Sequence, residues 1–485
     1  MASTRRRDVL KALGASAAAL ALPRWLQAAG APLSGKRPNL IFILTDDQRW
    51  DAMSVVQREQ GAKGRFPWLK TPNLDRIAAE GVRFRNAFVV NSLCSPSRAS
   101  FLTGCYGHVN GIVNNHTPFP ESNVTHASVL RGAGYATGYV GKYHMGPQKE
   151  RPGFDFAASY IGQGKYFDCP FVVNGAVTES KGWVDDVSTD YAIEFLRRSK
   201  DKPFLLAVGY KTTHGPFEPP ERCKNTYEGE EARSVPNLGV KAIYRAEAAS
   251  KNLPPAAAGG VKTNLGYFRC IAAIDDNVGR LLKTLDDLGL AEDTMVVFAG
   301  DNGYYLGEHG LGDKRSAYDE SLRIPLLLRY PRLGVKGKVV DQMVLNIDLA
   351  PTFIDFAGAK VPRQMQGRSW RPILEGKAAE WRRAYFYCYF YERNFNTPTV
   401  TAVRTETAKL IKYPGHEEWT EVFDLAADPY ELENLYADPS KATLRRELEA
   451  EYDKQAAAIA FNVPEFADQP GSPDDPKAKA RPRKK

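Results

Sequence analysis

Cysteine and histidine are both scarce in this chain, at six and seven of 485 residues. Cys94, Cys105, Cys169, Cys223, Cys270 and Cys388 show no tight spacing, which excludes a disulfide-built scaffold and a cysteine-rich metal cluster. Most of them read as small packing residues. So few histidines also argue against a two-zinc hydrolase, whose second metal needs further nitrogen ligands. Long apolar runs are missing as well: the alanine-rich stretch from Ala12 to Leu22 is too short for a comfortable membrane crossing, and no stable anchor is expected. No internal repeat is visible. A true excess of positive charge is missing too, despite the formal +8. Residues 1–30 carry +4 and residues 477–485 carry +6, which leaves −2 on the remainder. A mildly acidic body lacks the basic face of a nucleic-acid binder, so no nucleic-acid partner is expected.

The two ends account for the basic surplus. Arg5-Arg6-Arg7, the short apolar stretch and the small residues Ala28-Ala29-Gly30 follow the order of a twin-arginine export signal over residues 1–31. That reading makes the export machinery a partner and places the protein in a prokaryotic periplasm or outside the cell. The tail 463–485 reads as a solvated, disordered basic end.

Between the ends, three apolar runs stop at chemistry-bearing residues. Asn39 to Thr45 stops at Asp46-Asp47, Pro203 to Tyr210 just before His214, and Thr294 to Ala299 at Asp301-Asn302. Such runs fit central strands buried on both faces. Helical patterns lie between them, at Asn73 to Glu80, Val187 to Arg198 and Tyr267 to Leu288. This alternation predicts an α/β unit over 37–378 with a mainly parallel sheet flanked by helices, whose ligands gather beyond the carboxyl ends of the strands. From about Trp381 the texture changes to aromatic strand-like segments and a closing helix at Ser440 to Ile459. We read residues 379–462 as a smaller C-terminal α+β subdomain. Pro219 to Gly266 reads as a long excursion over one face.

Asp46, Asp47, Asp301 and Asn302 at two strand ends supply hard oxygen ligands, a donor set suited to calcium or magnesium, with calcium favoured by the looser geometry. Asp275-Asp276 is different, because the pair sits inside a helical pattern and should face solvent or a local partner. Lys142 and His144 follow a strand-like run and, on extended chain, point the same way. His214 and Lys314 complete a set of cations around an anion-sized space. His116, His126 and His416 read as structural, and His309 stays open.

The most specific segment is Cys94-Ser95-Pro96-Ser97-Arg98. Four fixed identities at about 5% each recur by chance roughly once in 10⁵ positions. Pro96 suits a first helical turn, Gly104 a helix end, and Arg98 shares a face with Cys94. The whole stretch CSPSRASFLTG (94–104), together with GYATGYVGKYH (134–144), His214-Gly-Pro-Phe, Asp301-Asn302-Gly303 and Lys314, resembles the formylglycine-dependent type I sulfatases of the alkaline phosphatase superfamily. The likeness runs over about residues 37 to 460.

The resemblance implies an alkaline-phosphatase-like fold and a sulfated carbohydrate substrate. It implies formylglycine made from Cys94 by a maturation enzyme, and one calcium ion on Asp46, Asp47, Asp301, Asn302 and residue 94. It further implies catalytic roles for Arg98, Lys142, His144, His214 and Lys314. Tyr106 to Asn115 is similar to the matching stretch of N-acetylglucosamine-6-sulfatases, which makes His108, Asn110 and Asn115 candidate sugar ligands. Turn formation by Asn110-Gly111 and Asn114-Asn115 is the competing reading. The expectation is exo-acting removal of a 6-O-sulfate from N-acetylglucosamine. The alternatives are a phosphonate monoester or phosphodiester hydrolase of the same superfamily, and a non-catalytic glycan-binding relative with an unmodified thiol.

Overall fold

The computed structural model describes residues 37–147, 149–248, 263–392 and 395–463. The expected export signal, the tail beyond Val463 and the middle of the Pro219–Gly266 excursion lie outside them.

A ten-stranded sheet forms the body of the molecule. Its centre is Asn39–Thr45, which pairs in parallel with Thr294–Gly300 on one side and Phe204–Gly209 on the other. Phe204–Gly209 pairs in parallel with Ala136–Lys142, and that strand with Phe156–Tyr160. Antiparallel strands are added towards both edges, Leu326–Arg329 on one and Phe171–Val173 and Ala176–Thr178 on the other.

The apolar runs of the central strands have a simple cause. Alternate residues face opposite sides of a strand, and here both sides are covered. Leu40, Phe42 and Leu44 join Leu205, Met295 and Val297 in one core with the helices Cys94–Thr103 and Leu349–Phe356. Ile41 and Ile43 join Leu206, Val296 and Phe298 in a second core with the helices Pro72–Ala79, Val184–Ser199 and Leu265–Asp287.

A separate four-stranded antiparallel sheet follows, in the order Ala384–Tyr389, Val400–Thr405, Ala408–Lys412, Glu421–Asp424. The helix Ala442–Ala458 packs on it. The sheet docks on the body through Cys388 N–H, which donates to the Val90 carbonyl (3.1 Å), and through the stacked rings of Tyr385 and Phe88 (5.4 Å). The mainly parallel sheet with a smaller antiparallel one behind it is the architecture read from the sequence.

Two local expectations change. Asp275 is buried rather than solvent-facing. Its carboxylate accepts from the backbone N–H groups of Asn73 and Leu74 at 2.8–3.1 Å and caps the helix Pro72–Ala79 from a neighbouring helix. Helix starts leave such donors unpaired, and a carboxylate satisfies them. The chain also does not stay extended from Lys142 to His144. The strand ends at Lys142, and His144 turns with φ 58°, a left-handed value uncommon outside glycine.

Candidate active site

Four neighbouring parallel strands end at one edge, and each delivers a polar group there. Asp46 and Asp47 follow Asn39–Thr45, Asp301 and Asn302 follow Thr294–Gly300, Lys142 closes Ala136–Lys142, and His214 lies shortly beyond Phe204–Gly209. The helix Cys94–Thr103 opens at the same place and is buried along its whole length. Pro96 occupies its first turn and Gly104 ends it at φ 66°, so a local sequence signal marks each end. Asp47 is held at φ 57°, another left-handed non-glycine residue. Its carbonyl accepts from the Tyr267 hydroxyl at 2.8 Å.

The groups interlock around Cys94. Its Sγ donates to Asp46 Oδ1 at 3.2 Å, and Lys142 Nζ holds Asp46 Oδ2. Arg98 donates Nε–H to Asp301 Oδ2 and Nη1–H to the Lys142 carbonyl, both at 2.8 Å. The guanidinium fits because residue 209 is glycine: a Cβ there would stand 2.3 Å from the Lys142 carbonyl oxygen and 3.1 Å from Arg98 Nη1. Lys314 Nζ reaches Asp47 at 2.7–2.8 Å. Ser95 Oγ lies 3.4 Å from His144 Nδ1, and His214 sits with Asp46 and Cys94 in one cluster.

Asp46, Asp47 and Asp301 form a buried set of carboxylates whose ligand atoms lie within 4.8 Å of one another. Asn302 donates Nδ2–H to Asp47 Oδ1 at 2.7 Å, while its own Oδ1 is buried without a hydrogen-bond partner. Buried oxygen acceptors are seldom left so. An all-oxygen donor set with one orphaned amide oxygen fits a hard divalent cation.

Electrostatics follow from burial and from this crowd of charges. Burial, then the neighbouring Asp46, pushes the Asp301 carboxyl up to about 7. Burial pushes the Asp46 carboxyl up as well, but Lys142, His214, Arg98 and Lys314 outweigh it and hold the group well below the usual range. Burial and Asp46 raise the Cys94 thiol, which suits it poorly to act as a thiolate nucleophile. Burial and Lys142 hold His144 well below the ordinary imidazole value, leaving it neutral and able to accept a proton. His214 falls to about 4 through burial and Lys314. Burial opposes the charge on Lys314, but Asp47 keeps its ammonium protonated far above the usual range.

Of the candidate sugar ligands, only Asn115 reaches this site. Its Oδ1 accepts the Ser95 N–H at 3.0 Å. His108 Nε2 lies 3.0 Å from the Ile459 carbonyl, with the ring against Phe461, so the structure engages it with the C-terminal segment. Asn110 is buried and spends its amide on Thr103 Oγ1, the Cys105 carbonyl and the Ile112 N–H, which makes it a turn residue.

Several neighbours of the site carry no local sequence signal. Gln163 Oε1 accepts from Lys142 Nζ and its carbonyl from Lys211 Nζ, and Tyr166 donates to the His214 carbonyl at 2.6 Å. Glu392 accepts from Arg315 Nε–H at 2.8 Å and from the Asn115 N–H at 3.3 Å, so the small sheet's side of the chain also braces the site.

His309 belongs elsewhere. It stacks on Tyr318 at 3.8 Å and lies 3.6 Å from Glu320, in a buried group with Glu431. Lys409 already supplies that group with positive charge: its Nζ donates to Glu431 Oε1 (2.6 Å), Asp319 Oδ1 (2.7 Å) and the Ala317 carbonyl (2.9 Å). With Arg404 also on Asp319 at 2.9 Å, the cluster carries its own cations and links the small sheet to the body.

Comparison with known proteins points the same way as the geometry. The profile of the Sulfatase family matches residues 38–359, and that of the N-sulphoglucosamine sulphohydrolase C-terminal region matches residues 307–458. The chain is 33% identical to an N-acetylglucosamine-6-O-sulfatase of Bacteroides thetaiotaomicron, over 85% of each protein. It superposes with a TM-score of 0.78, at 32% identity, on a solved complex of a protein with its substrate D-glucosamine-2-N,6-O-disulfate, covering 88% of this chain and 99% of that one. A phosphonate monoester hydrolase of Agrobacterium radiobacter shares the fold, with a TM-score of 0.72 at 22% identity over 90% of this chain and 100% of that one.

Proposed function

The chain belongs to the sulfatase family, a sulfuric ester hydrolase acting on carbohydrate esters, and from that premise we propose that it removes the 6-O-sulfate of N-acetylglucosamine residues from chain ends, using formylglycine at position 94. The observation that carries the reading is the convergence on Cys94 of three carboxylates, two lysines and Arg98 at the strand ends. The substrate rests on the relatives, whose names specify a 6-O-sulfated amino sugar.

Asp46, Asp47, Asp301, Asn302 and the oxidised residue 94 would hold one calcium ion, which when bound polarises oxygen ligands as a Lewis acid. Formylglycine, once hydrated, supplies one hydroxyl to attack sulfur and a second whose deprotonation lets sulfate leave. Arg98 and Lys142 hold the anionic oxygens of the ester. His144, neutral at physiological pH, takes the proton from the second hydroxyl. Lys314 is the protonated group on the leaving side and supplies charge or a proton to the departing sugar oxygen. His214 assists as the ester's negative charge favours its protonation. Its Nδ1 lies 2.8 Å from the Gly215 carbonyl, which fixes the ring and keeps Nε2 for the reaction.

We place the protein outside the cytoplasm on the twin-arginine pattern of residues 1–31, with the maturation enzyme and export machinery as transient partners. The test is sulfate release from a panel of sulfated monosaccharides by matured enzyme. Preference for 6-O-sulfated N-acetylglucosamine supports the substrate. Preference for 2-O-sulfated uronates or galactose sulfates refutes it and leaves the hydrolase standing. Faster cleavage of a phosphonate monoester than of every sulfate ester would instead favour the rival activity.

A further inference from the structure

The loop after Phe156–Tyr160 reaches the site at Lys142. Gly162 and Gly164 take left-handed φ values of 66° and 62° and bracket Gln163. A Cβ on Gly164 would also run into the Tyr160 ring at 2.6 Å, so this conformation depends on glycine. The result is a short, specified bend with one functional side chain at its tip. Gln163 Oε1 accepts from Lys142 Nζ at 2.5 Å, and the Gln163 carbonyl accepts from Lys211 Nζ at 3.1 Å. Two residues after Gly164, Tyr166 donates to the His214 carbonyl, and the Lys211 ammonium lies 4.9 Å from the Tyr166 ring centroid.

An ammonium group has three donors in a fixed tetrahedral arrangement. In Lys142 one is directed at Asp46 and one at Gln163. Fixing two directions fixes the third. The identity of the second acceptor matters as much as its place. A neutral amide oxygen orients an ammonium without cancelling its charge, whereas a carboxylate there would pair with it and weaken its pull on an anion.

We infer that Gln163 is a positioning residue of the sulfate pocket: its neutral oxygen aims the Lys142 ammonium at the anionic oxygens of the substrate while adding no second negative charge to that of Asp46. This rests on the proposed role of Lys142 and adds a residue that determines how strongly, and in what direction, the pocket attracts sulfate. Gln163 is half-buried at a loop tip, and its side-chain oxygen is engaged by the Lys142 ammonium.

The experiment uses matured, calcium-loaded enzyme and the variants Gln163→Ala and Gln163→Glu. Turnover of the preferred sulfated sugar, competitive inhibition by inorganic sulfate and thermal melting are measured for each. Losing one charge-assisted contact should weaken sulfate inhibition about tenfold in Gln163→Ala. Gln163→Glu should weaken it further although a hydrogen bond is restored, with kcat/KM falling in the same order and melting temperatures close to the parent. Equal losses in both variants accompanied by a parallel drop in melting would overturn the inference in favour of a loop brace. Unchanged inhibition by sulfate in both would also overturn it, while leaving the sulfatase reading intact. A parent enzyme that releases no sulfate from any ester would remove the sulfatase reading first and this inference with it.

Discussion

Cys94 Sγ and Asp46 Oδ1 stand 3.2 Å apart, with the thiol donating to a carboxylate that Lys142 holds from its other oxygen. The residue at the head of the buried helix is thereby built into the acidic cluster. An oxygen-bearing side chain at position 94 would sit where a metal ligand and nucleophile are needed. Peptide mass spectrometry of active enzyme should therefore show an aldehyde at residue 94. Cys94→Ala should abolish turnover with little change in melting, because the side chain lost is small. A preparation that is active while its Cys94 thiol alkylates completely contradicts this.

Removal of one cluster carboxylate should uncouple the metal. Asp301→Ala loses an oxygen ligand and the partner of the Arg98 Nε–H. Bound calcium should drop to background in elemental analysis, and kcat/KM should fall by about a hundredfold or more. Two zinc ions per parent chain in the same analysis would point to a phosphatase-like centre.

Leaving-group chemistry should separate Lys314 from the nucleophile side. Lys314→Ala should cost about a hundredfold or more on a sugar sulfate, whose departing alkoxide needs a proton, and far less on 4-nitrophenyl sulfate. Equal losses on the two substrates would assign Lys314 to metal-site structure through Asp47 instead.

Stability at acid pH should carry the mark of His126. The ring is fully buried and has no hydrogen-bond partner, and burial lowers it to about 3. Its folded value lies below its unfolded value of about 6.5, so the unfolded chain binds the extra proton. The stability it contributes is complete above pH 6.5 and is lost as pH falls towards 3. Between pH 7.5 and 5 the loss should amount to ~2 kcal/mol. His126→Leu should flatten that part of the melting-against-pH curve, and an unaltered slope in the variant would refute the assignment.

The link between the two sheets should be sensitive to Lys409. The side chain is fully buried between Glu431 and Asp319. Lys409→Met strands the Glu431 carboxylate, while Asp319 keeps Arg404 as a partner, and should cost about 3–5 kcal/mol. Adding Glu431→Gln should recover part of that loss, because it removes the stranded charge. Additive losses in a double-mutant cycle would show that the pair is not coupled.

Much of this was readable along the chain, for identifiable reasons. The central strands announce themselves because both faces are buried, as Ile41 and Phe42 show by pointing into opposite cores. The residues at their carboxyl ends stand out because Asp46-Asp47 and Asp301-Asn302 interrupt apolar runs. Contacts made across large sequence separations left no such mark. His108 stood as a sugar candidate on the likeness of its stretch to N-acetylglucosamine-6-sulfatases, yet its partner is the carbonyl of Ile459, 351 residues away. Asp275 was expected to face solvent or a local partner, because the donors it caps, the N–H groups of Asn73 and Leu74, lie 202 and 201 residues away. Gln163 and Glu392 are ordinary polar residues in their own segments and acquire meaning only from Lys142 and Arg315.

The burial of Cys94, at 0% exposure within a helix enclosed on every side, sets a deadline. No second protein can reach that sulfur once the chain has folded, so any enzymatic oxidation has to occur on the nascent or unfolded polypeptide. Under the proposed mechanism each molecule would then receive its catalytic state once, at birth. Protein folded in a host without the maturation machinery would stay inactive for its lifetime, and supplying the machinery later would rescue only newly made chains or those first unfolded.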